Sequence, residues 1–254
     1  MKKIFLTYTT FLVLVALPLT AFQKPKSQKE VDALKKVQAS AQANDPAAEL
    51  AAINEVLENF ADTEYKPMLL QMAMDAAQRQ NDFASVTLWG DRVIQSDPNN
   101  IPARVTLAES IAGHTRENDL DKDQSLKKVN EYATKALELL KAATAAPAGV
   151  AEAQWPDYKK QLTSQAYDAL GQAGDLSKNF PDSIKNFQSA IEANPTNPVP
   201  VARLSKAYVD AKQWDEAIST ADKVLAMNDL PPSVKSFAQS QKDAATKMKG
   251  AGAK

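Results

Sequence analysis

Three alternating aspartates are the residues of this sequence whose spacing comes nearest to a metal site. Asp119, Asp121 and Asp123 follow one another as the first three ligands of a calcium-binding loop do. Leu126 stands at the apolar position that such a loop has. Carboxylate oxygens are the ligands that calcium prefers in proteins. The stretch therefore raises the hypothesis of a calcium-dependent binding module.

Two departures from a calcium loop weaken that hypothesis. Gln124 stands where the sharp turn of the loop needs glycine, and Asn130 stands where a bidentate glutamate is needed. A solvated acidic loop, with Asp123 capping the helix that follows, explains the same residues more simply. We therefore predict no metal site, and keep calcium binding by the three aspartates only as a weak alternative.

The chain is poor in the residues that most enzymes use. His114 is the single histidine and cysteine is absent, so a histidine-rich zinc site, a cysteine nucleophile and a serine with a histidine base all lack partners. His114 lies at the end of a predicted helix, where a cationic side chain is favourable. No glycine-rich loop follows a strand in a way that would bind a nucleotide. We predict that the protein is not an enzyme and has no cofactor.

The composition favours helices and disfavours nucleic acid as a partner. Only 7 of the 254 residues are glycine, while alanine, leucine, lysine, glutamate and glutamine are abundant. The formal net charge is -1, and no basic run is present that would attract a phosphate backbone.

The first residues have the layout of a secretory signal peptide. In MKKIFLTYTTFLVLVALPLTAFQ, two lysines precede an apolar run to Ala16, which is followed by Pro18 and the small Ala21. We predict a signal peptide over residues 1–21, cleaved near Ala21, and hence a periplasmic or secreted protein. An N-terminal membrane anchor is the alternative, although the threonines and Pro18 make this segment short and polar for a membrane span.

A short sequence pattern recurs at a fixed distance. FPDSIKNFQSAIEANP begins at Phe180, and the similar WDEAISTADKVLAMND begins at Trp214, 34 residues later. The same pattern appears upstream around Phe83, and its next helix, from Pro102 to Ala112, follows at the same step. A fixed period of this length is typical of stacked structural repeats.

Each repeat unit has the pattern of a helical hairpin. Its apolar residues fall at helical spacing in two runs that a short polar turn separates. In the clearest unit, Gly171, Ser183 and Ala190 are small enough to let the two helices approach closely. Pro195 then ends the second helix, because proline lacks an N–H and its ring clashes with the preceding turn.

These features resemble the tetratricopeptide repeat, here in a protein of the exported bacterial type. The resemblance rests on the 34-residue period, the aromatic residue before the second helix, the small-Ile-x-x-Phe-x-x-Ala run and the closing proline. It is clearest over residues 164–230 and continues over 66–100. It implies an all-α fold: a right-handed superhelical α-solenoid of about five helical hairpins plus a C-terminal capping helix.

The expected domain organisation follows from the period. We predict a degenerate N-terminal repeat over 22–62, a repeat array over 63–231, a capping helix over 232–248 and a flexible tail over 249–254. Phe83 and Phe180 lie 97 residues apart, 29 more than two periods. We therefore expect insertions near 112–123 and 142–160.

The family resemblance implies a concave groove that binds an extended or helical segment of another protein. The groove positions that the family register gives are polar and rather acidic: Gln71, Asp75, Arg79, Glu109, Asp168, Gln172, Lys206 and Asp210. Family members that grip a C-terminal carboxylate use lysine, asparagine and arginine here, so a neutral or basic segment is the better expectation. The alternative is that these side chains only solvate the concave surface.

Two classes of function follow. The first is a non-catalytic protein-protein interaction scaffold of the periplasm or cell envelope. The second is a self-assembling structural protein that uses the array ends or the insertion around Trp155. Trp155 either staples the next helix or serves as an exposed anchor for a partner. The sequence leaves open the identity of the partner and the oligomeric state.

Overall fold

The structure is a computed structural model that describes residues 25–147 and 150–252, so the predicted signal peptide lies outside the described residues. The described residues form eleven α-helices and no strand, which confirms the predicted all-α class. The helices are α1 (Gln28–Gln42), α2 (Pro46–Asn59), α3 (Lys66–Arg79), α4 (Phe83–Ser96), α5 (Ile101–His114), α6 (Lys122–Ala142), α7 (Trp155–Leu176), α8 (Phe180–Ala193), α9 (Pro198–Asp210), α10 (Trp214–Leu225) and α11 (Pro232–Gly252).

The helices pair into hairpins, and the hairpins stack. Each odd-numbered helix from α1 to α9 packs against the even-numbered helix that follows it, and each even-numbered helix packs against the next odd-numbered one. The last helix, α11, packs against both α9 and α10. The described chain is thus five hairpins and a C-terminal helix, as the sequence predicted, and the extensive contacts of each hairpin are with its neighbours in the stack.

Four of the five hairpins reverse direction through the same backbone geometry. The second residue after the end of the hairpin's first helix has a positive φ: 52° at Asn44, 55° at Asn81, 60° at Lys178 and 59° at Lys212. The N–H of the following residue reaches back to a carbonyl inside the helix, as Asn179 does to Gly174 at 2.8 Å. This bond satisfies a helix-terminal carbonyl that would otherwise lack a partner, and turns the chain into the second helix.

The two helices of the fourth hairpin, α7 and α8, cross at very short range. A Cβ atom on Gly171 would lie 2.5 Å from the ring of Phe187, and one on Gly174 would lie 2.8 Å from the backbone nitrogen of Ser183. Ser183 and Phe187 are both buried. The crossing therefore requires glycine on α7, as the sequence predicted for Gly171; it did not single out Gly174.

The core is a series of clusters along the stack. Ile53 belongs to an N-terminal cluster, Trp155 to a middle cluster, and Phe187 and Val224 to two smaller C-terminal clusters. Tyr132 packs against both the N-terminal and the middle cluster and so joins them. No hairpin encloses its own apolar side chains, which is why each one depends on the hairpins beside it.

The extra residues in the middle of the chain lengthen helices as well as loops. The helices α6 and α7 have 21 and 22 residues, against 12 to 14 in most of the others. The start of α7, at Trp155, falls inside the insertion predicted at 142–160. Trp155 is only 5% exposed and packs in the middle core, so it is a packing residue and not the exposed anchor that the sequence left possible.

Both ends of the described chain are helical. Residues 28–59 form the hairpin α1–α2 where the sequence predicted a degenerate repeat. The N-terminus of α1 is fixed by Glu30, a buried carboxylate that accepts hydrogen bonds from the backbone N–H of Lys26 at 2.5 Å and from Thr63 Oγ1 at 2.6 Å. At the other end, α11 continues to Gly252, beyond the predicted end of the capping helix at residue 248.

Substitution of Gly174 tests the close crossing of α7 and α8. Gly174→Ala should destabilise the protein by about 1–3 kcal/mol, because backbone atoms of α8 would have to move to admit a methyl group. That loss lowers the melting temperature by about 2–4 °C per kcal/mol in a chain of this size, which differential scanning calorimetry measures.

Gly113 supplies the control. It is an exposed helical glycine on α5 with no atom within 4 Å of a built Cβ, so Gly113→Ala should stabilise by about 0.5–1 kcal/mol through helix propensity alone. Equal melting temperatures for the two variants would show that the α7–α8 crossing is not tight.

Candidate functional site

The residues predicted to line a groove lie on the first helices of four consecutive hairpins, α3, α5, α7 and α9. Hydrogen bonds and ion pairs join several of them across helices, together with three polar neighbours that the sequence did not single out. We call this set the inner surface: Gln71, Asp75, Arg79, Glu109, Gln165, Asp168, Gln172, Asp175, Arg203, Lys206 and Asp210.

Asp168 is the buried centre of the inner surface. Its side chain is 4% exposed and forms an ion pair with Arg203 of the next hairpin. Its Oδ2 also accepts a hydrogen bond from Gln172 Nε2 at 3.1 Å, while its Oδ1 has no hydrogen-bond partner among the described residues. Burial raises the pKa of Asp168, and the charge and hydrogen bonds of Arg203 and Gln172 offset part of this rise.

Lys206 binds two carboxylates at once. Its ammonium lies 2.6 Å from Asp175 Oδ2 on α7 and also pairs with Asp210, one turn further along α9. Burial alone would lower the pKa of Lys206, but the two carboxylates outweigh this effect and raise it. Lys206 is therefore held as a cation whose charge is already compensated within the fold.

The charge of Arg79, like that of Lys206, is compensated within the fold. Its guanidinium pairs with Glu49 on α2, a carboxylate that is only 2% exposed, and it donates to Asn44 Oδ1 at 3.1 Å in the first hairpin turn. The planar guanidinium thus joins the first two hairpins.

Glu109 is a partly exposed carboxylate in no ion pair of the described residues. Its Oε2 accepts a hydrogen bond from Gln165 Nε2 on α7 at 3.1 Å. Burial and then the negative charge of Asp168 raise the pKa of Glu109 to about 8, although Arg203 opposes the rise. A carboxyl group with this pKa is largely protonated at neutral pH.

Asp75 combines solvent exposure with a raised pKa. Its side chain is exposed, yet surrounding protein raises its pKa to about 6 in spite of the hydrogen bond from Gln71. Burial and then the negative charge of Asp75 raise the pKa of Tyr158, near the start of α7, to about 12.

The charges of the inner surface do not balance. Its three cations are each within an ion pair. Among the described residues, Asp75 and Glu109 take part in none of the ion pairs. The arrangement holds no nucleophile with an adjacent base, and it can accept hydrogen bonds and positive charge.

The structure pairs several of the predicted residues along their own helices and adds neighbours to them. Gln71 donates to Asp75, Gln172 to Asp168 and Lys206 to Asp210, each pair one helical turn apart. Helical spacing could have found the neighbours that the sequence prediction missed, because Gln165 and Asp175 lie three residues on either side of predicted positions and Arg203 lies three before Lys206. Helical spacing in the sequence did not indicate Glu49 on α2 as the partner of Arg79.

The aspartates of the calcium hypothesis do not form a site. Asp119 Oδ2 accepts the backbone N–H of Arg116 at 2.6 Å, and no three acidic or histidine side chains converge as metal ligands in the part of the chain that the structure describes. The helix α6 begins at Lys122, so Asp123 lies in its first turn and Asp121 occupies the capping position. The prediction of Asp123 as the cap was therefore wrong.

The side chain of His114 makes contacts with other residues of the fold. It is the last residue of α5, as predicted, and its ring stacks on that of Phe83 with centroids 4.3 Å apart. Its Nδ1 lies 2.8 Å from the carbonyl oxygen of Ser110.

A comparison with protein families identifies part of the array. The model of the tetratricopeptide repeat matches residues 176–239, which span the end of α7 to the middle of α11. Residues 176–239 therefore contain tetratricopeptide repeats. None of the curated proteins matches the chain significantly.

Solved structures of tetratricopeptide repeat proteins share the fold over most of the chain. TTC0263, a thermophilic protein of Thermus thermophilus, has a TM-score of 0.56 at 13% identity, covering 84% of this chain and 98% of its own. PilW, a type IV pilus biogenesis factor, has a TM-score of 0.57 at 12% identity, covering 87% and 90%. MamA from Desulfovibrio magneticus RS-1 has a TM-score of 0.53 at 18% identity, covering 81% and 100%. At these identities the likeness shows the solenoid fold alone.

Among residues 25–147 and 150–252, no helix is both long enough and apolar enough to span a membrane.

The raised pKa of Glu109 predicts a specific dependence of stability on pH. Its folded-state pKa of about 8 exceeds the ordinary value of 4.5 for a glutamate, so the folded state binds this proton more tightly than the unfolded state. The resulting stability is fully present below about pH 4.5 and is lost as the pH rises to about 8. Glu109→Gln removes that loss. The melting temperature of the variant minus that of wild type should therefore increase by several degrees between pH 5 and pH 8.5, at about 2–4 °C per kcal/mol.

Glu58 on α2 is the matched control, since it is an exposed carboxylate outside every ion pair of the described residues. Glu58→Gln should track the wild type across the same pH series. Parallel melting curves for Glu109→Gln and wild type would mean that Glu109 is not poorly solvated.

Proposed function

We propose that this protein is a non-catalytic scaffold that binds a polypeptide segment of another protein along the inner surface. The observation that carries the proposal is the imbalance of that surface. Its cations are compensated within the fold, whereas Asp75 and Glu109 are accessible, poorly solvated and outside every ion pair of the described residues. Groups of this kind are costly for the free protein and gain a partner when a ligand binds.

The extent of the inner surface favours a polypeptide over a small molecule. Its residues run across four consecutive hairpins, from α3 to α9, and ion pairs join two of these helices, α7 and α9. A small ligand needs an enclosed pocket lined largely by apolar groups. A long polar surface with spaced hydrogen-bonding groups suits an extended or helical segment.

The proposal includes a location in the periplasm or cell envelope. It is supported by the N-terminal sequence, in which two lysines, an apolar run and a small residue at Ala21 have the order of a cleavable signal. Retention of the same segment as a membrane anchor would place the repeats in the same compartment.

Site-specific photo-crosslinking in the cells that make the protein tests the proposed surface. A benzoylphenylalanine in place of Gln71, on the inner surface, should give discrete adducts with another protein that mass spectrometry identifies. The same amino acid in place of Leu88 is the control, because Leu88 is 51% exposed on α4, the second helix of its hairpin. Adducts from position 88 alone, or from neither position, would contradict binding along the inner surface.

A further inference from the structure

We propose that the segment bound by the inner surface is basic, and that two of its lysine or arginine side chains pair with Asp75 and Glu109. This inference rests on the proposed function and names the chemistry of the partner.

The first support is the balance of charge. The region of the inner surface, with the adjoining Glu49, holds six carboxylates and three cations: Glu49, Asp75, Glu109, Asp168, Asp175 and Asp210 against Arg79, Arg203 and Lys206. Each cation already lies against a carboxylate. A basic partner complements what is left, and an acidic one is repelled.

The second support is independent of charge and concerns hydrogen bonds. Four buried side-chain atoms of the described residues have no hydrogen-bond partner, and three of them are oxygen acceptors of the inner surface: Gln71 Oε1, Asp168 Oδ1 and Asp175 Oδ1. Asp168 is 4% exposed at the side chain, so its unpartnered oxygen is costly. These three acceptors lack donors within the described fold. An ammonium supplies three and a guanidinium five, and neither has an acceptor.

The two carboxylates outside the ion pairs occupy equivalent places. Asp75 and Glu109 are 34 residues apart, one repeat period, on α3 and α5. Both of these helices pack against α4. Consecutive repeats thus present the same anchoring group twice, which suits two basic side chains on one segment.

The titration of these carboxylates distinguishes specific pairing with a bound cation from a nonspecific electrostatic attraction. The groups that act on them come from four helices: Asp168 and Arg203 act on Glu109, and Gln71, Arg79 and Glu49 act on Asp75. A cation beside either carboxylate favours its ionised form, so binding should release protons near neutral pH. Affinity should accordingly increase as the pH rises from 6 to 8.5.

Isothermal titration of the full chain with N-acetylated, C-amidated hexalysine tests the proposal. Hexalysine should bind, with protons released to the buffer, while the same peptide acetylated on every side chain should not. The double variant Asp75→Asn/Glu109→Gln should weaken binding at least about tenfold, as the loss of two central ion pairs predicts.

The matched control is Glu58→Gln/Glu192→Gln. It removes the same number of carboxyl groups from exposed positions on α2 and α8, and should stay within about twofold of wild type, since remote charges are screened. Helicity by circular dichroism checks that both double variants are folded. Equal weakening by the two double variants, or no binding of hexalysine to wild type, would overturn the proposal.

The crosslinking experiment separates this inference from the function on which it rests. Adducts at position 71 with an acidic or uncharged segment would overturn the basic partner and leave the scaffold function standing. Absence of adducts at position 71 would overturn both.

Discussion

Close approach between neighbouring helices, both within a hairpin and between hairpins, is the constraint on which the rest of the structure depends. At the crossing of α7 and α8, the absence of a side chain on Gly171 admits the ring of Phe187, and Gly174 lies against the backbone of Ser183. Gly90 on α4 leaves similar room for the side chain of Leu107 on α5. Dispersion and apolar burial at these short distances hold the helix pairs, but each pair leaves an apolar face that only the next pair covers.

Stacking to cover those faces packs α5 against α7 and lets side chains of α7 reach those of α9, and this builds much of the inner surface. Its ion pairs across hairpins, Asp168 with Arg203 and Asp175 with Lys206, hold neighbouring repeats in register. With the pair of Arg79 and Glu49, they engage all three cations of the inner surface. The carboxyl groups of Asp75 and Glu109 are left outside the ion pairs, and binding of a basic segment would supply the cations that the fold does not.

The 34-residue period was sufficient to predict the hairpins, because Phe180 and Trp214 mark the same point in two units and the intervening residues keep helical spacing. The groove positions followed from the same register. The pairing of Asp168 with Arg203 could not be predicted, since it depends on how two hairpins stack. Nor could the burial of Trp155, because the 29 extra residues of the middle region fit loops or longer helices equally well. The structure puts many of them into α6 and α7, which carries Trp155 into the core.

Hydrogen-deuterium exchange on a chain that ends at Asp229, and so lacks α11, tests most directly whether each hairpin depends on its neighbour. Val234 and Ala238 of α11 are buried against Val201 and Val224 of the last hairpin. A stack of interdependent units predicts that protection falls in α9 and α10 and is retained in α1 to α4. Undiminished protection in α9 and α10, or an equal loss in every helix, would contradict a core built from neighbouring hairpins.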